Sequence, residues 1–97
     1  MENKHLIPAN ELCTYYNVEL SFINALQEFG LIELTRVQEN YFINETQLPK
    51  LEQYTRWHYE LEINLEGIEV IDQMLERIRN MQDEIIALKN KLRLYKQ

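Results

Sequence analysis

The stretch YELEINLEGIEVIDQMLERI, Tyr59 to Ile78, carries a lone glycine among residues that favour helix. Glycine inside a helix costs about 1 kcal/mol relative to alanine, so Gly67 asks for a helix boundary nearby. Asn64 supplies one, because its short side chain can accept a hydrogen bond from the amide of residue 66 or 67 as an N-cap does. Ile63 and Ile68 flank that cap at the two positions of a hydrophobic staple. The stretch therefore reads as two helices meeting at Asn64. Gly67 falls in the first turn of the second helix, where its missing side chain lets a neighbour come close.

Beyond that corner the pattern is regular. Ile71, Ile78, Ile85 and Leu92 recur every seven residues, and Met74, Met81, Leu88 and Tyr95 form a second series offset by three. This is a heptad repeat with both core positions filled. A helix from Leu65 to Lys96 would span roughly 48 Å at 1.5 Å per residue, too long to be hidden in so small a domain, so it calls for a partner helix. Acids near its start (Glu66, Glu69, Asp72, Glu76) and bases near its end (Lys89, Lys91, Arg93, Lys96) complement the helix dipole. A homodimer follows as the expectation. The heptads argue for association and leave parallel or antiparallel pairing open.

Upstream, LIPANELCTYYNVELSFINALQEFGLIEL spells two short helices. Pro8 suits a first turn, Leu12 and Tyr16 lie four apart, and Asn17 with Val18 fit a tight turn. Phe22, Ile23, Leu26 and Phe29 then keep helical spacing until Gly30 offers a left-handed stop. Two short helices around a brief turn make a helix-turn-helix. The period changes next. Leu31, Ile32 and Leu34 precede a polar turn at Gln38 to Asn40, and Tyr41, Phe42 and Ile43 follow it, the pattern of a small two-stranded wing. Asn44 and Gln47 have the spacing of a capping box, with the regular helix opening near Pro49 and carrying Leu51, Tyr54, Trp57 and His58 to about Leu61. The expected fold is mainly α: a winged helix-turn-helix domain with a following helix over residues 1–63, then a coiled-coil dimerisation helix over 64–97.

Composition narrows the function. The chain has 97 residues, enough for one small domain, and its only cysteine, Cys13, excludes an internal disulfide and suits a reducing compartment. It holds no long apolar run and no basic start followed by an apolar stretch, so a cytoplasmic protein without a membrane span is expected. Net charge is −6, made of −8 over residues 1–69 and +2 over residues 70–97. An acidic front part repels phosphate backbones and favours a basic partner.

Catalysis needs convergent reactive groups, and the chain offers one cysteine, one serine (Ser21), two histidines (His5, His58) and no glycine-rich phosphate loop. Neither histidine has recognisable ligand spacing with Cys13. The expectation is therefore a non-enzyme with no cofactor and no metal. Cys13 and His58 read as packing or surface residues, and the sixteen carboxylates as a solvated face. Trp57 falls in register with Tyr54 and Leu61, toward a core, although tryptophan is also enriched among interface hot spots. In a DNA-binding helix-turn-helix the second helix enters the major groove. Here ELSFINALQEF contains no lysine or arginine, and its outward face would present Glu19, Ser21, Asn24 and Glu28 to a polyanion.

The order of parts resembles the MerR superfamily, and within it the CbpM family of chaperone modulators. NVELSFINALQEFGLIEL, the wing end YFINETQLPKL and above all WHYELEINLEGIEVIDQMLERI carry the likeness, which runs from about Leu6 to Leu94. DNA-binding members of the superfamily have arginines on the second helix where this chain has Ser21 and Asn24, and one beside the wing tyrosine where it has Asn40 or Phe42. The resemblance implies a protein that binds the J-domain of a DnaJ/CbpA-type co-chaperone and blocks its action on a DnaK-type chaperone. A transcription regulator of the MerR or HspR type is the alternative. J-domains, the resemblance further implies, offer a basic helix to their chaperone partner. The acids around the corner, Glu60, Glu62, Glu66 and Glu69, are the expected contact, with Trp57 or Tyr59 as apolar anchor; Glu19 and Glu28 on the second helix are the other option.

Sedimentation is expected to find a dimer at concentrations on the order of tens of micromolar, and Ile78→Asp with Ile85→Asp to reduce it to a monomer by charging the heptad core. An unchanged mass in that variant would refute association through this helix.

Overall fold

The computed structural model describes residues 5–96. Strand β1 (Leu6–Pro8) leads directly into helix α1 (Ala9–Tyr16), followed by α2 (Leu20–Glu28), strands β2 (Thr35–Val37) and β3 (Asn40–Asn44), a single 3-10 turn (Glu45–Gln47), α3 (Leu48–Tyr59) and α4 (Leu65–Tyr95). The expected mainly α, winged helix-turn-helix with a long terminal helix is the fold observed.

Both helices of the helix-turn-helix end in the same way. At the end of α1, Asn17 adopts φ 58° and ψ 49°, its amide reaches the Thr14 carbonyl and the Val18 amide the Cys13 carbonyl. At the end of α2, Gly30 adopts φ 77°, its amide reaches Gln27 and the Leu31 amide reaches Leu26. These are Schellman stops, built on the two residue types that tolerate the left-handed region at least cost. Each satisfies orphan carbonyls and turns the next side chain inward. Val18 and Leu31 are both buried.

The wing departs from expectation. Its strands begin at Thr35, and Leu31 and Ile32 form a buried connection instead of a strand. The sheet has three strands in the order β1-β3-β2, all antiparallel, with Ile7 opposite Ile43 and Arg36 opposite Tyr41. Strand β1 gave no signal because three residues ending in proline are too short for an alternating pattern. The capping box is also only half formed. Asn44 Oδ1 accepts from the Thr46 amide at 2.9 Å, but Gln47 turns away and exchanges two 2.8 Å bonds with the Glu33 backbone. That exchange fastens the loop after α2 to the start of α3.

Core residues come from every layer. Ile23 and Leu26 of α2, Ile43 of β3, Leu51 and Tyr54 of α3 and Ile68 of α4 are fully buried, with Leu12, Phe22 and Ile32 around them. Trp57, read as core, is only half-buried against this cluster, its ring 6.0 Å from that of Tyr54. Two phenols bolt the helices together: Tyr54 donates to Asp72 Oδ1 at 2.7 Å, joining α3 to α4, and Tyr16 donates to Glu52 Oε2 at 3.0 Å, joining α1 to α3.

The corner between α3 and α4 forms at Asn64 as the sequence indicated. Helix α3 stops at Tyr59, two residues before the expected Leu61, because Glu62 adopts φ 58° and reverses the chain so that the Ile63 amide returns to the Trp57 carbonyl. His58 closes the same loop through its Nδ1, 2.9 Å from the Ile63 carbonyl. A carbonyl only accepts, so Nδ1 carries the proton. Asn64 Oδ1 then accepts from the Gly67 amide at 2.8 Å, and Ile63 and Ile68 both join the core cluster. A Cβ on Gly67 would stand 2.9 Å from Ile63 Cγ2 and 3.1 Å from Asn64 Oδ1. The neighbour that the glycine admits is thus the cap itself.

Asn64→Ala is expected to lose about 1 kcal/mol, the usual cost of a missing cap. Gly67→Ala should also destabilise, by about 1 kcal/mol net, because a β-branched methyl cannot swing aside and the crowding outweighs the gain in helix propensity. Urea unfolding measures both; a stabilised Gly67→Ala protein would show that Ile63 yields. The phenols predict alkaline sensitivity. Burial, then the bond to Glu52, pushes Tyr16 up to about 12, and burial, then the bond to Asp72, raises Tyr54. An unfolded tyrosine titrates near about 10, so above that pH the unfolded chain has shed protons that the fold retains, and stability falls as pH rises further. Tyr16→Phe with Tyr54→Phe should be less stable at neutral pH and flatter in its stability profile between pH about 10 and about 12.

Candidate protein-docking surface

Helix α2 carries the element that would meet DNA, and its outward face is acidic. Glu19, Ser21, Asn24, Gln27 and Glu28 are all exposed, and Glu19 Oε1 accepts from Ser21 Oγ at 3.3 Å at the foot of the helix. The wing adds little positive potential. Arg36 is folded back, its Nε donating to the Gln38 carbonyl at 3.0 Å and its guanidinium carbon 6.0 Å from the centroid of the Tyr41 ring.

The acids expected at the corner divide. Glu60 and Glu62 are exposed beyond the end of α3, and Glu66 is exposed in the first turn of α4. Glu69 is half-buried one turn further on. Among the described residues no ion pair engages any of the four. Tyr59 is 47% exposed and rests edge-on against Phe22 of α2, ring centroids 5.2 Å apart, while His58 stacks on the same Phe22 at 4.9 Å. This aromatic cluster clamps the end of α3 onto the helix-turn-helix, which separates Tyr59 from Trp57: the first faces solvent, the second leans on the core. Glu28 stands at the opposite end of α2 from Glu19.

The structure gathers residues that sequence reasoning treated apart. A groove of about 480 Å³ runs between the end of α1 and the last turns of α3, lined chiefly by Tyr15, Tyr16, Glu52, Arg56, Tyr59 and Glu60. Tyr15 is 77% exposed and stands edge-to-face with Tyr16, at 4.9 Å between centroids. Asn17 also lines the groove; of the acids expected at the contact, Glu60 is the one in its lining. Tyr15 and Glu52 were not anticipated. The pair Tyr15-Tyr16 was the available signal, since adjacent helical residues cannot both face a core.

The heptad residues form an unpartnered stripe. Ile71 is half-buried near the corner, but Met74, Ile78, Met81, Ile85, Leu88, Leu92 and Tyr95 are exposed, Ile78 at 47% and Leu88 at 63%. Met74, Ile78 and Met81 frame a shallow hollow with Arg77 on this face. No described helix is long and apolar enough to cross a membrane, and among the described residues no three metal-ligating side chains converge. Cys13 is partly buried against the core, and burial pushes its thiol pKa up, which makes it a poorer nucleophile.

Comparison with known proteins bears on the whole arrangement. A family model, described as MerR HTH family regulatory protein, matches residues 7–90. No curated protein and no solved structure gave a match. The matched span starts in β1, takes in the helix-turn-helix, the wing and α3, and ends far along α4. By that match and by the fold it covers, the chain belongs to the MerR helix-turn-helix family of regulatory proteins.

Proposed function

We propose that this protein regulates another protein instead of a promoter: a dimeric modulator that binds the J-domain of a DnaJ/CbpA-type co-chaperone and keeps it from its DnaK-type chaperone. One observation carries the reading. The exposed face of α2, which in a DNA-binding relative meets bases and phosphates, bears Glu19, Ser21, Asn24, Gln27 and Glu28 and no positive charge. A helix so charged opposes a polyanion and attracts a cation. The resemblance to the chaperone modulators supplies the class of partner, and the basic helix implied for J-domains matches the acidity of residues 1–69.

Competition is the simplest mechanism. An acidic surface that occupies the basic helix of a J-domain leaves it unavailable to the chaperone, and exposed carboxylates speed the encounter while an aromatic anchor lengthens it. The stripe from Met74 to Tyr95 is the surface through which a second copy would complete the protein. Pairing would hide apolar side chains that a lone chain leaves in water.

Calorimetry with the J-domain encoded alongside this protein is expected to show binding that weakens as salt rises. Replacing Glu60, Glu62, Glu66 and Glu69 together by lysine should abolish the heat while the helical circular dichroism persists. Chaperone should compete for the same J-domain, and a generic duplex should not be retained at low salt. Absence of heat and of competition would refute the modulator reading, and tight, salt-sensitive DNA retention would favour a transcription regulator.

A further inference from the structure

We propose that the groove between α1 and α3 is the seat of a basic helix on the partner protein, with a lysine or arginine side chain lying across Tyr15 and Tyr59 and its charge met by Glu52 and Glu60. This deepens the partner-binding reading above and rests on it.

Four features of the groove select a cation. Tyr15 has no role in the core, being 77% exposed, yet its ring is held edge-to-face against Tyr16, whose hydroxyl is bonded to Glu52. The aromatic wall is therefore set before a ligand arrives, and a tyrosine face attracts a cation placed within about 6 Å of it. Tyr59 forms the other wall, held against Phe22 and His58. Helix α1 ends at Tyr16 and α3 at Tyr59, so two helix C-termini with their partial negative charge meet at this hollow. Glu52 and Glu60 lie in the lining, and Glu19 and Glu62 stand just beyond it in sequence.

Among the described residues Arg56 is the one base in the lining, and it shapes the choice of ligand. It disfavours a uniformly cationic stretch and suits a helix whose lysines or arginines alternate with an acid or hydroxyl that Arg56 can bind. The volume, about 480 Å³, accommodates a few side chains projecting from one helix face. A second hollow beside the helix-turn-helix, about 330 Å³ between Pro8, Leu20, Glu39 and Tyr41, has a single acid among the described residues. The heptad stripe is apolar and suits a second copy. The groove brings the exposed rings of Tyr15 and Tyr59 together with two carboxylates, Glu52 and Glu60.

The test is calorimetry of the J-domain against the full chain and three variants. Tyr15→Ala and Glu60→Lys should each lower affinity by about tenfold or more, as truncating an interface anchor does, whereas Glu39→Lys, in the separate hollow beside the wing, should stay within about twofold. Tyr15 is so exposed that its loss leaves the fold intact, which circular dichroism verifies. If the wild-type chain binds and both groove variants bind equally well, the groove assignment is overturned and the modulator reading survives. If the wild-type chain gives no heat, that reading falls and the groove is judged by itself, by nuclear magnetic resonance of the full chain titrated with a synthetic alanine-lysine helical peptide. Shifts centred on Tyr15 and Tyr59 would then support the groove. Shifts elsewhere, or none, would overturn it.

Discussion

The hydrogen bond from the Gly67 amide to Asn64 Oδ1, 2.8 Å long, fixes where α4 starts and therefore where every residue of α4 points. The first amides of a helix have no partner within it, and a helix that starts elsewhere would leave one of them unsatisfied. Starting at Leu65 puts Ile68 into the core and Asp72 under the hydroxyl of Tyr54. The same register then sets the heptad stripe on one outward face from Met74 onward. Slipping the start by one residue would turn the helix by about 100°, since 3.6 residues make a turn, and carry Ile68 out of the core. Glycine is required at this point because the cap and Ile63 occupy the space of its side chain.

The same corner decides what α3 shows to solvent. By ending at Tyr59, with Glu62 reversing the chain, α3 leaves Glu60 and Glu62 on the outside and sets Tyr59 against Phe22. Phe22 belongs to α2, so the acidic corner is held by the helix-turn-helix and not only by its own loop. Tyr16 and Glu52 repeat this connection between α1 and α3. The stops, the wing and the core thus build a helix-turn-helix whose outward α2 face carries no positive charge. Fold and charge are separable: buried Ile23 and Leu26 set the position of α2, and exposed Asn24 and Glu28 set what it attracts.

Much of the fold was legible because its signals are local. Asn17 and Gly30 are residue types with few reasons to sit at a helix end other than the left-handed region, and both do so. Asn64 followed by Gly67 gave the corner, and the sevens gave α4 almost to its last residue. The failures share a cause. Strand β1 exists only because β3 is there to pair with it, and Gln47 abandons the capping box because the Glu33 backbone lies within reach; neither neighbour is close in sequence. The same holds for the site. Glu60 and Tyr59 were visible as acid and aromatic, but Tyr15 and Glu52 join them only through the packing of α1 on α3, and the bonds Tyr54 to Asp72 and Tyr16 to Glu52 span 18 and 36 residues.

The far part of α4 poses a thermodynamic question that the compact part does not. From Glu76 to Lys96 every residue is exposed, so nothing else among the described residues supports this segment. Ion pairs within it are sparse and fully in water: Arg79 with Glu76 at 2.8 Å is the one found among the described residues of α4. An i,i+3 pair so exposed adds little to the helix. Helices in water draw most of their stability from packing an apolar face, and the face from Ile78 to Leu92 has none to pack against within one chain. On the proposed dimer, association and the ordering of this segment are therefore one event, with concentration deciding both. The groove lies on the other side of that division. Its walls stand on α1 and α3, whose core residues Leu12, Leu51 and Tyr54 are buried in the single chain, so the proposed docking surface is built whether or not α4 pairs with a second copy.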